Sequence, residues 1–151
     1  MELKALVGSG DKIGRLILPF LVIGLAANIW RPSLFDVGGP GAVLRAVSII
    51  MLIPGVIIWI WSAMLVVIIV PRKGLITNGP YALVKHPLYT GVALLVLPWT
   101  GFLFNTWLGA LLGIALYCGS RIFAPEEEEA LARSFGASWD EYCGNVKIPW
   151  L

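Results

Sequence analysis

The longest uncharged stretch of this chain, residues 87–120, limits what the chain can fold into. As one helix with a rise of about 1.5 Å per residue it would be about 50 Å long, whereas the hydrocarbon core of a bilayer is about 30 Å thick. The stretch must therefore fold back, and it predicts a hairpin of two short helices, 88–104 and 106–123. Four residues near its middle can break a helix: Pro98, Gly101, Asn105 and Thr106.

Two more uncharged runs precede the hairpin, a short one at residues 16–30 and a longer one at residues 46–71. The first predicts a span at residues 12–30, with the charged end of Arg15 reaching the surface, and it ends at Arg31-Pro32. The second predicts a span at residues 41–70 that bends at Pro54. Together with the two legs of the hairpin, these runs predict four membrane-spanning helices.

The composition of the chain points to the same class of protein. Hydrophobic residues make up 58% of the chain and charged residues 13%, compared with about 25% charged residues in soluble domains. We therefore expect an all-α polytopic membrane protein, a single integral domain over residues 1–151 that is surrounded by the lipid bilayer. The net charge of +2 is too small to indicate a nucleic-acid partner. Cys118 and Cys143 form no motif and are predicted to be free thiols.

Positive charges gather on one side of the predicted topology. With four spans, the N-terminus, the loop after the second span and the C-terminal tail share one side of the membrane. That side holds every lysine and arginine except Arg31 and Arg45. The positive-inside rule then predicts that both termini and residues 81–89 lie in the cytoplasm.

The last part of the chain, residues 125–151, predicts an amphipathic helical tail in the cytoplasm. Pro125 suits the first turn of a helix, and the glutamates at 126–129 suit a helix N-terminus. Phe135-Gly136 is typical of a helix end. Ser138 is predicted to cap a second short helix that continues through Tyr142.

Glu127 is the acid that helical spacing turns inward. Four consecutive glutamates point around the whole circumference of a helix, so they cannot all face one partner. Glu127, Leu131 and Phe135 lie four residues apart and share a stripe that is otherwise apolar. The alternative is that all four glutamates are solvated and simply favour the positive end of the helix dipole.

His86 is the only histidine of the chain, and Tyr89 follows three residues later, where both side chains can share one face of a helical turn. His86 either forms a hydrogen bond with a polar ligand at the membrane surface or is an ordinary loop residue before a helix that starts at Pro87. Neither a metal site nor a Rossmann nucleotide site is predicted, because metal-ligand spacing and a G-x-G-x-x-G motif are both lacking. Trp59 and Trp61 are predicted to pack in the interior or to line a pocket.

The motifs around these residues resemble those of a known family. They are Gly79-Pro80-Tyr81, Lys85-His86-Pro87-Leu88-Tyr89-Thr90-Gly91, Glu127-Glu128-x-x-Leu131-x-x-x-Phe135-Gly136 and Tyr142. In this order, flanking a hairpin of membrane helices, they resemble the isoprenylcysteine carboxyl methyltransferase family, with the phospholipid N-methyltransferases as more distant relatives. The resemblance covers about residues 72–150, and the paired motifs are specific where either alone would be weak.

The resemblance implies an integral membrane methyltransferase that moves a methyl group from S-adenosylmethionine to a lipophilic acceptor, with S-adenosylhomocysteine as product. The cofactor would bind at the cytoplasmic face without a Rossmann domain, between segments 72–91 and 121–150. His86 and Glu127 would take part in catalysis. The implied cofactor-binding residues are Lys73, Gly74, Leu75, Ile76, Tyr81, His86, Pro87, Leu88, Tyr89 and Glu127.

The sequence departs from the family pattern at several positions. Lys85 stands where the family usually has an arginine before His-Pro, which keeps the charge but not the planar fork of donors. Phe123 stands where the family often has a substrate-binding arginine, so Arg121 becomes the nearest candidate for contact with the substrate. Trp139 replaces a tyrosine that is common after Phe-Gly. The tail is shorter than in eukaryotic members, and we expect a prokaryotic inner membrane.

Non-enzymatic functions are the alternative. A four-span protein of this size is also compatible with a transporter subunit, an assembly factor, or a family member that binds the cofactor without methylating. A transport pathway places polar residues inside the spans, whereas the ionisable residues of this chain gather at one face. This distribution favours a ligand site at the membrane surface. Neither the methyl acceptor nor the oligomeric state is predicted by the sequence.

Overall fold

The computed structural model describes residues 3–38 and 41–149, and within these ranges the chain is helical and contains no strand. The helices in chain order are α1 (Leu3–Trp30), α2 (Gly41–Ile69), α3 (Pro87–Leu103), α4 (Leu108–Phe135) and α5 (Ala137–Asn145). Single helical turns lie at Pro32–Leu34, Val70–Arg72 and Gly79–Ala82. The all-α architecture predicted from the sequence is confirmed.

Three of these helices are long and apolar enough to cross a membrane, and α3 is a shorter apolar helix. The three long segments are Gly10–Trp30, Gly41–Arg72 and Leu108–Phe135. Large apolar side chains such as Ile23, Ile57 and Ile114 are exposed on them, as expected of surfaces that face lipid. The polytopic membrane character is confirmed, and the third predicted span, residues 88–104, corresponds to the short helix α3.

The hairpin between α3 and α4 turns where the sequence predicts it. The turn follows Leu103, and Asn105 adopts a left-handed φ of 57° that helps to reverse the chain. Pro98, one of the predicted breakers, lies inside α3 instead. A π-helical turn at Val92–Val96 precedes it, and such a local adjustment accommodates a residue that has no backbone N–H.

Three glycines bring the backbones of α3 and α4 into contact. A Cβ on Gly109 would lie 2.1 Å from the carbonyl oxygen of Leu97, and a Cβ on Gly113 would lie 2.3 Å from that of Ala93. A Cβ on Gly101 would meet the backbone of Gly109 at 2.8 Å. Small residues allow this close approach of membrane helices, and here they hold the hairpin together.

The helix boundary predicted at Pro125 is wrong. Helix α4 continues without a break from its apolar part through Pro125 and the four glutamates to Phe135. Pro125 cannot donate to the carbonyl oxygen of Arg121, but both residues are exposed, so solvent can meet that oxygen. The predicted helix end at Phe135 is confirmed, and Gly136 follows it with a φ of 52°.

The second short helix of the tail is present as α5, but its predicted cap is wrong. Helix α5 begins at Ala137 and extends past Tyr142 to Asn145. Ser138 therefore lies within its first turn, and no side chain forms a cap hydrogen bond there. Cys118 and Cys143 are free thiols, as predicted.

Helix α1 is bonded to the hairpin at both ends. Near one end, Lys12 forms an ion pair with Glu126 of α4 at 2.6 Å. Near the other end, the hydroxyl of Thr106 donates to the side-chain oxygen of Asn28 at 3.0 Å. The early part of α1 and the glutamate-bearing end of α4 therefore lie at the same end of the helical bundle.

Candidate functional site

The C-terminal segment is docked on the irregular segment between α2 and α3. The hydroxyl of Tyr142 donates to the backbone carbonyl oxygen of Tyr81 at 2.9 Å. The backbone N–H of Ile148 donates to the carbonyl oxygen of Leu83 at 2.8 Å. A buried apolar cluster supports this arrangement: Trp139, Tyr142 and Val146. These contacts bring the motifs on both sides of the hairpin to one place.

The lone imidazole and the inward glutamate meet at this place. His86 precedes α3, with Pro87 in the first helical position, and its side chain is 10% exposed. The side chain of Glu127 on α4 is 14% exposed, and its Oε1 lies 4.0 Å from Nδ1 of His86. Glu126 and Glu129 are 65% and 66% exposed. The inward direction predicted for Glu127 is confirmed, and the alternative that all four glutamates are solvated is wrong.

Glu128 is a second inward acid, which the sequence reasoning missed. Its Oε2 accepts a hydrogen bond from Nζ of Lys85 at 2.8 Å, and its Oε1 lies 3.2 Å from Nε2 of His86. The Glu128 side chain is 26% exposed. The pair Lys85-His86, two adjacent side chains that can donate to one carboxylate, was the signal in the sequence that could have revealed this partner.

A cavity of about 70 Å³ lies against His86 and Glu127. Its wall is otherwise mostly apolar and comes from four parts of the chain: Val66, Val70, Gly74, Leu75, Ile76, Tyr81, Lys85, Leu131, Trp139 and Tyr142. Burial raises the pKa of the Tyr81 phenol, and the nearby Glu127 raises it further. Tyr81 therefore offers a neutral hydroxyl, close to the carboxylate, at physiological pH.

The structure brings some of the predicted cofactor residues together and separates others. Those on the cavity wall are Gly74, Leu75, Ile76, Tyr81, His86 and Glu127. The other predicted residues are outside the wall. Lys73 is exposed, Pro87 is buried and lines a different cavity, and Leu88 is half-buried. The Tyr89 ring lies 6.4 Å from the His86 ring, and Arg121 is exposed on α4.

A comparison with protein families covers most of the chain segments that build this site, including His86 and Glu127. The model of the isoprenylcysteine carboxyl methyltransferase (ICMT) family matches residues 42–133, which is more than half of the chain. The chain belongs to the ICMT family. The resemblance found in the motifs is thereby confirmed, and the family is one of membrane methyltransferases. No curated protein and no solved structure matches the chain.

This ICMT family member has a second, larger cavity beside the first. It has a volume of about 420 Å³. Two residues, Leu75 and Tyr142, line both this cavity and the small one. The rest of its lining is largely polar: Thr77, Ala82, Ser138, Glu141, Asn145 and Val146. Binding sites for small molecules typically have volumes of about 300–1,000 Å³, so the second cavity has the size that the first one lacks.

The Gly79–Ala82 turn, which contributes to both cavities, also lines an apolar groove of about 610 Å³. Helices α2 and α3 supply half of its lining, which includes Ile58, Trp61, Pro87 and Leu94. Among its lining residues only Lys147 is charged. Both tryptophans are exposed on the surface of α2, but Trp61 lines the groove, as predicted, whereas Trp59 does not.

The hydroxyl of Tyr142 holds the docked tail in place, and Tyr142→Phe tests this role. A neutral hydrogen bond contributes about 1 kcal/mol, which corresponds to a factor of about five in an opening equilibrium. We therefore expect the Ile148 amide, which bonds to Leu83, to exchange its hydrogen about fivefold faster in Tyr142→Phe. Glu141→Gln, an exposed change on the same helix, should leave the exchange rate unchanged. Equal rates in Tyr142→Phe and the native chain would refute the role of the hydroxyl.

Proposed function

We propose that this ICMT family member transfers a methyl group from S-adenosylmethionine to a lipophilic acceptor. The observation that carries the proposal is the convergence of His86 and Glu127 on one cavity, next to an apolar groove, within a segment that matches a methyltransferase family. The cavities offer polar groups for a water-soluble ligand, and the groove offers an apolar surface for a lipid-like one.

The residues of the two cavities fit S-adenosylmethionine in their chemistry. The carboxylate of Glu127 can accept hydrogen bonds from ribose hydroxyls or from an ammonium group. The apolar side chains of Ile76, Leu131 and Trp139 suit an aromatic base. The small cavity alone is too small for such a ligand, so we expect it to bind across both cavities after Leu75 and Tyr142 move apart.

The chemistry requires little of the protein beyond alignment. When bound, S-adenosylmethionine supplies a methyl group on a positively charged sulfur, which a nucleophile displaces in line. Glu127 and His86 would orient the cofactor, and the mostly apolar wall would exclude water. A carboxylate acceptor needs no base, whereas an amine or a thiol must first lose a proton. His86 is the residue of this site that is best suited to take such a proton.

The two substrates would approach from different phases. The cavities lie at the end of the bundle where the polar segments gather, and the groove runs down α2 and α3 into the apolar part. The positive-inside rule supports a cytoplasmic position for this end. We expect the membrane itself to be a prokaryotic inner membrane. The cofactor would then enter from the cytoplasm, and the acceptor would enter sideways from the bilayer.

Two measurements on the detergent-purified protein test this proposal. Isothermal titration should show binding of S-adenosylhomocysteine, and the binding should be lost in His86→Ala and Glu127→Ala. With S-adenosylmethionine labelled in its methyl group, label should move into a lipid extract of the host membranes. If the protein binds S-adenosylhomocysteine but no label moves into the lipid extract, the protein binds the cofactor without methylating, and the transferase proposal is overturned. Absence of both would favour a transporter subunit or an assembly factor.

A further inference from the structure

His86 lies between two carboxylates that come from consecutive residues of α4. Nε2 of the imidazole lies 3.2 Å from Oε1 of Glu128, and Nδ1 lies 4.0 Å from Oε1 of Glu127. Glu127 is on the wall of the small cavity, whereas Glu128 is not. The two nitrogens of the ring therefore face different partners, one away from the cavity wall and one beside it.

The hydrogen-bond roles around Glu128 follow from which groups can donate. The ammonium of Lys85 can only donate, and it lies 2.8 Å from Oε2 of Glu128. An ionised carboxylate can only accept, so the hydrogen bond between Oε1 and His86 requires a proton on Nε2. A neutral imidazole carries one proton, and Nδ1 is then the unprotonated nitrogen.

We infer that Glu128 is a positioning residue that fixes the Nε2–H tautomer of His86, so that Nδ1 and Glu127 present two acceptors side by side. Such a pair binds a ligand group that carries N–H or O–H donors. This inference deepens the proposed function and rests on it for the ligand. In S-adenosylmethionine the matching groups are the ammonium of the amino-acid part and the hydroxyls of the ribose.

Because His86 is the only histidine, every histidine signal in a nuclear magnetic resonance spectrum comes from this residue. The spectrum therefore reports its tautomer directly. The full chain, purified through a tag without histidine and labelled with [¹⁵N]histidine, is measured at about pH 9, well above the ordinary imidazole pKa of about 6.5. We expect a single Nε2–H tautomer in the native chain. An Nδ1–H tautomer, or a ring that carries both protons at this pH, would overturn the inference even if the protein binds the cofactor.

Glu128→Gln should reverse the tautomer. The ammonium of Lys85 needs an acceptor, so the glutamine oxygen is expected to stay with Lys85 and the amide NH₂ to face Nε2 of His86. Nε2 must then accept, and the proton moves to Nδ1. Glu126→Gln, an exposed change on the same helix, should leave the native tautomer. A Glu128→Gln spectrum identical to the native one would show that Glu128 does not set the tautomer.

Ligand binding separates this inference from the proposed function. Glu128→Gln should weaken binding of S-adenosylhomocysteine about tenfold, the loss of about one charge-assisted hydrogen bond. The probe 5′-methylthioadenosine keeps the ribose and lacks the amino-acid part. If Glu127→Gln weakens the binding of both ligands, the two acceptors bind the ribose hydroxyls. If it weakens only the binding of S-adenosylhomocysteine, they bind the ammonium. If Glu128→Gln and Glu127→Gln weaken neither ligand, the acceptor pair is refuted although the protein binds cofactor.

Discussion

Glu127→Gln is expected to weaken binding of S-adenosylhomocysteine by roughly 10- to 100-fold, since a hydrogen bond to a charged group contributes about 1.5–3 kcal/mol. The substitution keeps the size of the side chain, so the packing of α4 against the small cavity should persist. It removes the negative charge and replaces one acceptor oxygen with an NH₂ donor. Isothermal titration of both proteins in the same detergent measures the change in affinity.

The matched control for this prediction is Glu129→Gln. Glu129 lies two residues away on the same helix and bears the same charge, but its side chain is exposed and pairs with Arg133 at 3.1 Å. If cofactor binding depends only on the total negative charge at this end of the helix, both substitutions will weaken binding equally. A loss confined to Glu127→Gln requires contact with the ligand. Unchanged affinity in Glu127→Gln would remove this carboxylate from the proposed site.

The sequence predicted one of the two inward acids and missed the other for a physical reason. The helical period fixes the direction of Glu127 relative to Leu131, and that direction needs no tertiary information. Glu128 lies 100° further around the helix, so its burial depends on what is packed there. Its partners, Lys85 and His86, belong to an irregular segment whose path is set by tertiary contacts. No periodicity in the sequence describes such a path.

The spans were easier to predict than the ends of the helices. A bilayer demands about 20 apolar residues for each helical crossing, so uncharged runs identify the spans directly. The effect of Pro125 depends on whether the carbonyl oxygen that it leaves without a donor can meet solvent, and this is a property of the fold. In the same way, Val66 of α2 and Val70 of the following turn lie on the same cavity wall as Trp139 and Tyr142 of the docked tail, which is also a property of the fold.

Gly109→Ala is expected to destabilise the hairpin by about 1–3 kcal/mol or more, the usual cost of forcing extra atoms into a packed interior. The new Cβ would lie 2.1 Å from the carbonyl oxygen of Leu97 and 2.8 Å from the backbone of Gly101. Both obstacles are backbone atoms, so no flexible side chain can move aside. Helices α3 and α4 must separate. Thermal unfolding in detergent, followed by circular dichroism, should show a clearly lower midpoint.

Gly14→Ala is the matched control, because it adds the same methyl group to a glycine of another membrane helix, where nothing lies within 4 Å. Alanine also favours the helix over glycine by about 0.5–1 kcal/mol, so this control should be neutral or stabilising. The separation of α3 and α4 should also move His86 relative to Glu127, since His86 directly precedes α3 and Glu127 lies on α4. Gly109→Ala should therefore lose affinity for S-adenosylhomocysteine at temperatures where it is still folded. A midpoint and an affinity equal to those of Gly14→Ala would mean that the two legs are not packed backbone to backbone.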